Sequence, residues 1–431
     1  MGIESDRVMH GILLYATFYK KIFPGRTMLN DGISAQELSM RWDRCKNLLH
    51  QYIPHVQGLL VFSRLNIYYF TGSFANGVFW LPFSGEPVLF CRRGEERAKI
   101  ESPLTHIYPF RSYGDIETIL NDLGFSFPKL VAAEMNGLSW ALSNSLTKHL
   151  SAHQFTAADR IIGMSRAKKS EWELAILREA GSRHARCLTR LLPPLLHDGI
   201  SEFEICHKIS EVFFSEGHHG ILRMEKYGEE TFLGHIAVGD IANYPSVFNG
   251  PVGLRGVHPA TPYMGSAEVR WTKGKPLIID NGLTLAGYMT DKTQVYWLGE
   301  KENIPVNAMK AHDFCIDLQD EIAESLRPGI LASDIWNHCL SRVERSEWRD
   351  GFMGLGKNKV FFVGHGIGLA IDEYPALAEG FDVPLEEGMT LAVEPKIGIP
   401  GFGMVGVENT FEVTTAGGKS LTGQDFDIIL I

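Results

Sequence analysis

Apolar residues recur along this chain with two different periods, which predict short strands and amphipathic helices. Residues 35–51 repeat their apolar positions every three or four residues, as one face of a helix does. Four short apolar runs bounded by Gly, Ser and Pro predict strands at residues 58–62, 66–70, 78–81 and 87–90. The pattern from about residue 37 to residue 160 therefore predicts a mixed α/β domain.

The second half of the chain contains repeated signals for the start of a helix. Ser170 precedes Glu173 by three residues, and Ser201 precedes Glu204 in the same way, so each pair predicts a capping box. A further helix is predicted over residues 306–326. Strand-like runs occur at residues 275–280, 288–297, 360–363, 389–394 and 404–413. Helices and antiparallel-looking strands in one segment predict a single α+β domain.

These patterns divide the 431 residues into an N-terminal extension (1–36), an N-terminal domain (37–165) and a C-terminal domain (166–431). A chain of this length is too long for one ordinary core. The apolar run at residues 11–19 is the nearest approach to a secretory signal. Acidic rather than basic residues precede it, and no small-residue cleavage site follows. We therefore expect a packed extension or an over-long start of the chain.

Composition and charge indicate which kinds of binding partner the chain is unsuited to. Apolar residues make up 45% and charged residues 21%, and 41 basic against 51 acidic residues give a net charge of −10. With no long Lys/Arg cluster, this balance argues against nucleic acid or an anionic membrane as the main partner. The six cysteines are scattered without a C-x-x-C pair, which predicts reduced thiols in a cytoplasmic protein.

The first candidate for chemistry is a pair of aspartates in a predicted hairpin. Asp280 and Asp291 are separated by eleven positions, with a turn predicted at residues 284–287. In that register the two side chains lie opposite each other, with Cβ atoms about 5 Å apart. Facing carboxylates repel unless a cation lies between them, so a bridging metal ion is one explanation. Two solvated acids at a hairpin surface are the other.

Three further residues have the chemistry of metal ligands. His365 lies in a glycine-rich loop after an apolar strand, and imidazole is a common nitrogen ligand of transition metals. Glu394 ends an apolar strand before Pro395, and Glu408 projects from another apolar strand. Acids on strands this apolar need partners if they are buried. Taken singly, each residue also has an ordinary structural explanation.

Taken together, the order Asp, Asp, His, Glu, Glu resembles the metallopeptidase family M24, which includes Xaa-Pro aminopeptidases, prolidases, methionine aminopeptidases and creatinase. The resemblance implies a creatinase/prolidase-type N-terminal α/β domain followed by a pita-bread catalytic domain. It also implies two divalent ions (Mn, Co, Zn or Fe) with Asp291 and Glu408 bridging them, and a homodimer. The ligand set implied by the resemblance is Asp280, Asp291, His365, Glu394 and Glu408. Glu394 would also carry a proton from the attacking water to the leaving nitrogen.

The sequence departs from the family pattern around the substrate. Asp372 replaces a histidine seven positions after His365, and Ser246 replaces another family histidine. Two arginine positions are occupied by Gln294 and Gly406. His235 and His258 are candidates to substitute for the missing histidines, although each is also explained as an ordinary loop residue.

The resemblance implies a hydrolase that uses a metal-bridged hydroxide, and we expect an Xaa-Pro-type aminopeptidase or dipeptidase. An alternative is a pita-bread C–N hydrolase of a small non-peptide substrate, creatinase-like or ectoine-hydrolase-like. A non-catalytic binding module is the third hypothesis. Retention of all five ligand residues argues against it, because unneeded facing carboxylates would destabilise the fold.

Overall fold

The computed structural model describes residues 32–225 and 230–431. Most of the predicted extension over residues 1–36, with its apolar run at 11–19, lies outside the described residues. The elements that the structure describes are numbered here in chain order. None of the described helices is both long enough and apolar enough to cross a membrane.

The N-terminal domain is built on a six-stranded mixed sheet. Its strands are β1 (Gly58–Val61), β2 (Asn76–Pro82), β3 (Val88–Arg93), β4 (His106–Pro109), β5 (Leu130–Ala133) and β6 (Gln154–Ala157), in the order β4-β3-β2-β1-β5-β6. Its helices are α1 (Ala35–Tyr52), α2 (Arg64–Thr71), α3 (Glu95–Glu101), α4 (Gly114–Asp122), α5 (Trp140–His149) and α6 (Asp159–Ala167). The strands read as near-continuous apolar runs because apolar residues pack on both faces of the sheet.

The strand predicted over residues 66–70 is wrong, because this segment forms α2. The Ser63 side chain accepts a hydrogen bond from the backbone N–H of Asn66 and caps the helix. Gly72 ends the helix in the left-handed conformation, at φ 78°. The Asn66 side chain donates to Glu134 at 2.8 Å. A short apolar run does not distinguish a strand from a buried helix, and here the caps decide.

The C-terminal domain is built on a nine-stranded sheet. Its main path is β13-β12-β14-β17-β11-β10-β9, with β18 beside β17 and β19 beside β11. These strands are β9 (Gly234–Val238), β10 (Leu277–Leu285), β11 (Tyr288–Trp297), β12 (Phe362–Gly366), β13 (Glu373–Ala378), β14 (Thr390–Val393), β17 (Glu408–Thr414), β18 (Gly417–Ser420) and β19 (Ile429–Leu430). Two small sheets pair β7 (Leu222–Arg223) with β8 (Glu230–Thr231), and β15 (Lys396–Ile399) with β16 (Gly403–Gly406). The predicted strand over residues 404–413 is thus two strands.

Four long helices pack against this sheet: α7 (Glu171–Arg186), α8 (Glu202–Ser215), α9 (Val306–Ser325) and α10 (Ala332–Glu344). Both predicted capping boxes are confirmed at the starts of α7 and α8. The buried apolar faces of α9 and α10 belong to one core cluster with β14 and β17. The expected combination of an N-terminal α/β domain with a C-terminal α+β domain is confirmed.

The hairpin register between β10 and β11 differs from the prediction. The connecting turn has only two residues, Ala286 and Gly287, at φ 48° and 85°. Asp291 therefore lies opposite Gly282 rather than Asp280, and Asp280 lies opposite Thr293. Since Gly282 and Asp280 are two positions apart, the two aspartates still share one face of the sheet. The two-residue turn with two positive φ angles therefore shifts the strand pairing by two residues from the predicted register, and both aspartates remain on the same face of the sheet.

Buried ion pairs join the two domains. The Arg41 guanidinium on α1 lies 3.6 Å from the carboxylate of Glu173 on α7 and bonds to the Tyr288 hydroxyl at 3.2 Å. Arg166 on α6 bonds to Glu373 at the start of β13. Their charges are compensated within the junction, so the ion pairs fix how the N-terminal domain meets the site described next.

Candidate metal centre

Five side chains meet on one face of the nine-stranded sheet, and each comes from a strand or the end of one. Asp280 and Asp291 come from the β10–β11 hairpin, and His365 comes from β12. Glu394 follows β14 directly, and Glu408 begins β17. Neighbouring strands of a twisted sheet bring residues that are far apart in sequence into one cluster. All five line the same cavity.

The five residues form two overlapping groups that share Glu408. Ligand atoms of Asp291, His365 and Glu408 lie within 4.8 Å of one another, and so do those of Asp280, Glu394 and Glu408. Gly282, directly opposite Asp291, also lines the cavity and has no side chain to fill it. This spacing brings carboxylate and imidazole donors close enough to share a cation.

The His365 ring is oriented for ligation through Nε2. Its Nδ1 lies 3.1 Å from the Gly366 carbonyl oxygen, to which it can donate. Its Nε2 faces the acids, 3.7 Å from Glu394 Oε1 and 3.9 Å from Glu408 Oε1. When one ring nitrogen donates a hydrogen bond, the other nitrogen keeps a free lone pair that can bind a metal ion. This is the usual arrangement of a ligating histidine.

Lys396, which the sequence analysis did not single out, lies inside the acidic cluster. Its side chain is completely buried, and Nζ lies 3.2 Å from Asp280, 2.8 Å from Glu394 and 2.5 Å from Glu408. In an extended segment, residues two apart point to the same side, so Glu394-Pro-Lys396 places the lysine beside its own glutamate. That spacing, in so apolar a segment, is the signal that could have identified it.

Burial and mutual repulsion shift the pKa values of the acids. Burial first, and then the neighbouring acids, raise the pKa of Asp291 and of Glu408 well above the usual range. Burial opposes ionisation of Asp280 too, but Lys396 outweighs it and lowers the pKa of Asp280. Burial disfavours the Lys396 ammonium, yet Asp280, Glu394 and Glu408 together raise its pKa well above the ordinary value. Asp291 thus lacks the close contact with Lys396 that Asp280 has.

The cavity in front of the cluster has a volume of about 390 Å³ and a wall that includes four Phe and Tyr rings. The apolar side chains that line it include Phe248, Phe362, Ile371, Tyr374 and Phe381. The polar cluster lies at one side of this wall. A ligand there would place a polar group against the acids and an apolar group against the rings.

The structure brings two of the predicted substrate residues to this cavity. Asp372 is half-buried in its wall and accepts a hydrogen bond from the Glu225 backbone N–H at 2.6 Å. His235 lies on β9 opposite Asp280, and its ring packs edge-on against Phe248. Its Nε2 is buried and has no hydrogen-bond partner among the described residues.

Ser246 and His258 do not line the cavity in the described part of the chain. The Ser246 hydroxyl accepts from the Phe248 backbone N–H at 3.1 Å, so it shapes the loop that carries Phe248. His258 is exposed and accepts from the backbone N–H of Ala260 through Nδ1. Both residues satisfy their polar atoms within their own loops.

Sequence comparison decides the family. The profile of metallopeptidase family M24 matches residues 175–415, and the profile of the creatinase/prolidase N-terminal domain matches residues 41–168. The chain belongs to metallopeptidase family M24. Like other M24 enzymes it is a hydrolase, and M24 metallopeptidases use divalent metal ions.

M24 relatives match over nearly the whole chain. An Xaa-Pro dipeptidase of Pyrococcus furiosus is 23% identical over 380 residues, which cover 87% of this chain and 95% of the relative. An X-Pro aminopeptidase from Thermotoga maritima has the same fold with a TM-score of 0.72 at 20% identity, covering 90% of this chain and 99% of that one. An Xaa-Pro dipeptidase from Bacillus anthracis gives a TM-score of 0.74 at 19% identity, covering 91% and 100%. These likenesses establish the pita-bread fold.

The residues present fit an M24 metal ion in one of the two groups. Asp291, His365 and Glu408 supply two carboxylates and one imidazole, a donor set typical of Mn, Fe, Co or Zn. The raised pKa of Asp291, which Lys396 does not contact, indicates a carboxylate that lacks a close counter-ion. In the other group, Lys396 already contacts all three carboxylates.

Proposed function

We propose that this hydrolase is a metal-dependent aminopeptidase or dipeptidase of the Xaa-Pro type. The observation that carries the proposal is the convergence of Asp280, Asp291, His365, Glu394 and Glu408 on one cavity wall beside an aromatic surface. When bound, a divalent cation such as manganese would lower the pKa of a water molecule and polarise the scissile carbonyl. The names of the relatives support the substrate class.

The chain's own residues divide the remaining work. Glu394 faces the cavity at the edge of the acid cluster, where its carboxylate would accept a proton from water and return it to the leaving nitrogen. Nε2 of His235 is buried and has no hydrogen-bond partner among the described residues. In its protonated form it would donate a hydrogen bond to the substrate, which would satisfy this buried nitrogen. The rings of Phe362, Tyr374 and Phe381 would cover a proline ring.

Asp372 would set which end of the substrate enters the cavity. An ionised carboxylate accepts hydrogen bonds and repels a developing oxyanion, so it suits an amine or another N–H donor. A free peptide N-terminus meets this requirement, as does a small guanidino or cyclic amidine compound. The same observation therefore favours a small-molecule C–N hydrolase as the second candidate.

A substrate panel separates the two candidates. We expect the manganese-loaded or cobalt-loaded protein to hydrolyse Xaa-Pro dipeptides with a free N-terminus, and the chelator-treated protein to lose this activity. N-acetylation of the peptide should lower kcat/KM strongly, because it removes the cation that Asp372 would accept. Hydrolysis of guanidino or cyclic amidine compounds alone would reject the peptidase and support the second candidate.

Replacing Asp372 tests its role within the same panel. Asp372→His restores a hydrogen-bond donor beside the scissile bond, and one such donor is worth about 10²–10³ in rate. We expect kcat/KM for N-acetylated Xaa-Pro dipeptides to rise, and the preference for a free N-terminus to fall. Asp350→Asn, which changes an exposed aspartate of the same domain, is the matched control. An unchanged preference for a free N-terminus in Asp372→His would contradict this role.

Three further expectations complete the proposal. The six cysteines are buried and form no disulfide, which supports a reducing, cytoplasmic environment. The homodimer implied by the family resemblance and the presence of two ions per chain stay predictions. The number of ions depends on Lys396, since its ammonium is the nearest cation to three of the acids.

A further inference from the structure

We infer that the Lys396 ammonium permanently takes one of the two cation positions, so that each chain binds a single divalent ion beside Asp291 and His365. This inference rests on the metal dependence proposed above and adds the number and place of the ion. In place of two metal ions, the centre would then hold two different cations: the Lys396 ammonium, which belongs to the chain, and one divalent ion from solution.

The contacts of Lys396 coincide with one of the two groups of donors. Asp280, Glu394 and Glu408 form one group, and the same three carboxylates surround Nζ at 3.2, 2.8 and 2.5 Å. The ammonium therefore lies where an ion shared by these acids would lie. Two cations cannot occupy one position, so a second divalent ion could bind here only by displacing the ammonium.

Glu394 and Glu408 each direct one carboxylate oxygen towards Lys396 and the other towards His365. Oε2 of Glu394 and Oε2 of Glu408 face Lys396. Oε1 of Glu394 and Oε1 of Glu408 face Nε2 of His365, at 3.7 and 3.9 Å. The oxygens that remain for an ion are thus on the side of His365 and Asp291. This division describes one ion site and one ammonium site that share their bridging acids.

The backbone around Lys396 is shaped to keep it there. Lys396 pairs with Gly406 across β15 and β16. Gly406 has φ 139°, and a Cβ at this position would lie 2.5 Å from the Pro395 carbonyl oxygen and 2.7 Å from the Lys396 Cα. Only glycine allows so close an approach. Glu408 is held as well, because Thr293 donates to its Oε2 at 3.0 Å.

Charge balance agrees with one ion. Asp280, Asp291, Glu394 and Glu408 contribute −4 when ionised, Lys396 contributes +1 and one divalent ion contributes +2, which leaves −1. Two divalent ions together with Lys396 would give +1 in a buried space lined by the same residues. A net negative cluster suits a substrate that brings a cationic amine, which the proposed peptide N-terminus would supply.

Manganese binding tests the inference without using activity. The protein is treated with chelator, dialysed, titrated with Mn²⁺ and counted by elemental analysis, and its electron paramagnetic resonance spectrum is recorded. We expect one Mn²⁺ per chain and the six-line spectrum of an isolated ion. Lys396→Ala, which removes both the charge and the volume, should bind two ions and show a spin-coupled spectrum. Lys396→Met, which keeps the volume, should bind no more than one.

Lys292→Ala is the matched control, because it removes another fully buried lysine, one that bonds to the Asn409 side-chain oxygen at 2.8 Å. It should still bind one ion. If Lys396→Ala does not fold, the count for the unaltered protein and for Lys396→Met decides. Two coupled ions in the unaltered protein would overturn the inference while leaving the peptidase proposal intact. No bound ion at all would overturn both.

Discussion

At the scale of single residues, the site depends on buried charges whose partners are close and specific. Glu373 is an example at the cavity wall. Its carboxylate is bonded to Arg166, lies 3.0 Å from Lys169 Nζ and accepts from the Ala370 backbone N–H. Burial alone would raise its pKa, but Arg166 and Lys169 lower it to about 2, from an ordinary value of 4.5. The ion pair therefore stabilises the fold at neutral pH.

Glu373→Gln should reveal this stabilisation as a pH-dependent effect. A carboxyl with a lowered pKa contributes its full stability above pH 4.5 and loses it as the pH falls towards about 2. We expect the variant to lose about 3 kcal/mol of unfolding free energy at pH 7, and progressively less below pH 4.5. Urea unfolding of the chelator-treated proteins at several pH values measures the difference. Glu379→Gln, an exposed neighbour, should show no such trend; a constant difference at all pH values would contradict the argument.

At the scale of elements, side chains at the ends of helices decide where they begin. Ser170 caps α7 by accepting from the Glu173 N–H at 3.2 Å, and Ser201 caps α8 by accepting from Glu204 at the same distance. Ser170 also donates to Glu37 on α1 at 2.8 Å, whereas Ser201 donates to Glu204 within its own box. The two caps are therefore similar locally and differ in their tertiary role.

Serine-to-alanine changes at these two caps should differ in cost. Ser201→Ala should lower the free energy of unfolding by about 1 kcal/mol, the usual value of a helix cap. Ser170→Ala should cost about 1 kcal/mol more, since it also removes the hydrogen bond to Glu37. Denaturant midpoints of the two variants, measured side by side, provide the comparison. Equal losses would mean that the bond between α1 and α7 adds no net stability.

Local signals explain how far the sequence predicts this structure. Periodicity and capping boxes predict α1, α7, α8 and α9 closely, because these signals act within one helix. The segment of α2 is predicted as a strand because a short apolar-rich run satisfies both patterns, and the caps at Ser63 and Gly72 decide for the helix. The hairpin register depended on the two-residue turn at Ala286–Gly287, which the sequence pattern did not identify.

The site shows the same limit. The five candidate ligands were identified through their order along the chain, and the structure brings all five to one cavity. Lys396 was missed because a single lysine in a strand has no periodic signal, and its role depends on three strands meeting. Ser246 was predicted from its position in a motif and His258 as a substitute for a missing histidine, but neither lines the cavity in the described part of the chain.

At the scale of the whole molecule, the N-terminal domain is attached to the catalytic domain through buried polar contacts. Arg41 connects α1 to Tyr288 on β11, and it also lies 3.6 Å from Glu173 on α7. Residues of both domains share one apolar cluster. Two domains joined by a buried apolar and ionic junction are expected to unfold together.

Cysteine labelling can measure whether they do. All six cysteines are buried, with Cys45 and Cys91 in the N-terminal domain and the other four in the catalytic domain. We expect all six to become reactive at one denaturant midpoint. Arg41→Met breaks a buried ion pair, at a cost of about 3–5 kcal/mol, and should expose Cys45 and Cys91 before the others. Arg97→Met, which breaks the exposed ion pair with Glu101, should leave the common denaturant midpoint of the six cysteines unchanged. Separate midpoints in the unaltered protein would show that the junction is weak.

The lysine inside the acid cluster also bears on how the protein matures in the cell. A cluster of carboxylates without any cation would oppose closure of the sheet, and newly made chains would then depend on an ion to finish folding. Lys396 travels with the chain and neutralises part of this charge from the moment β14, β15 and β17 come together. We therefore expect newly synthesised protein to complete its fold while free metal is scarce. Uptake of the ion would then be a separate, late step that follows the supply of metal rather than the rate of synthesis.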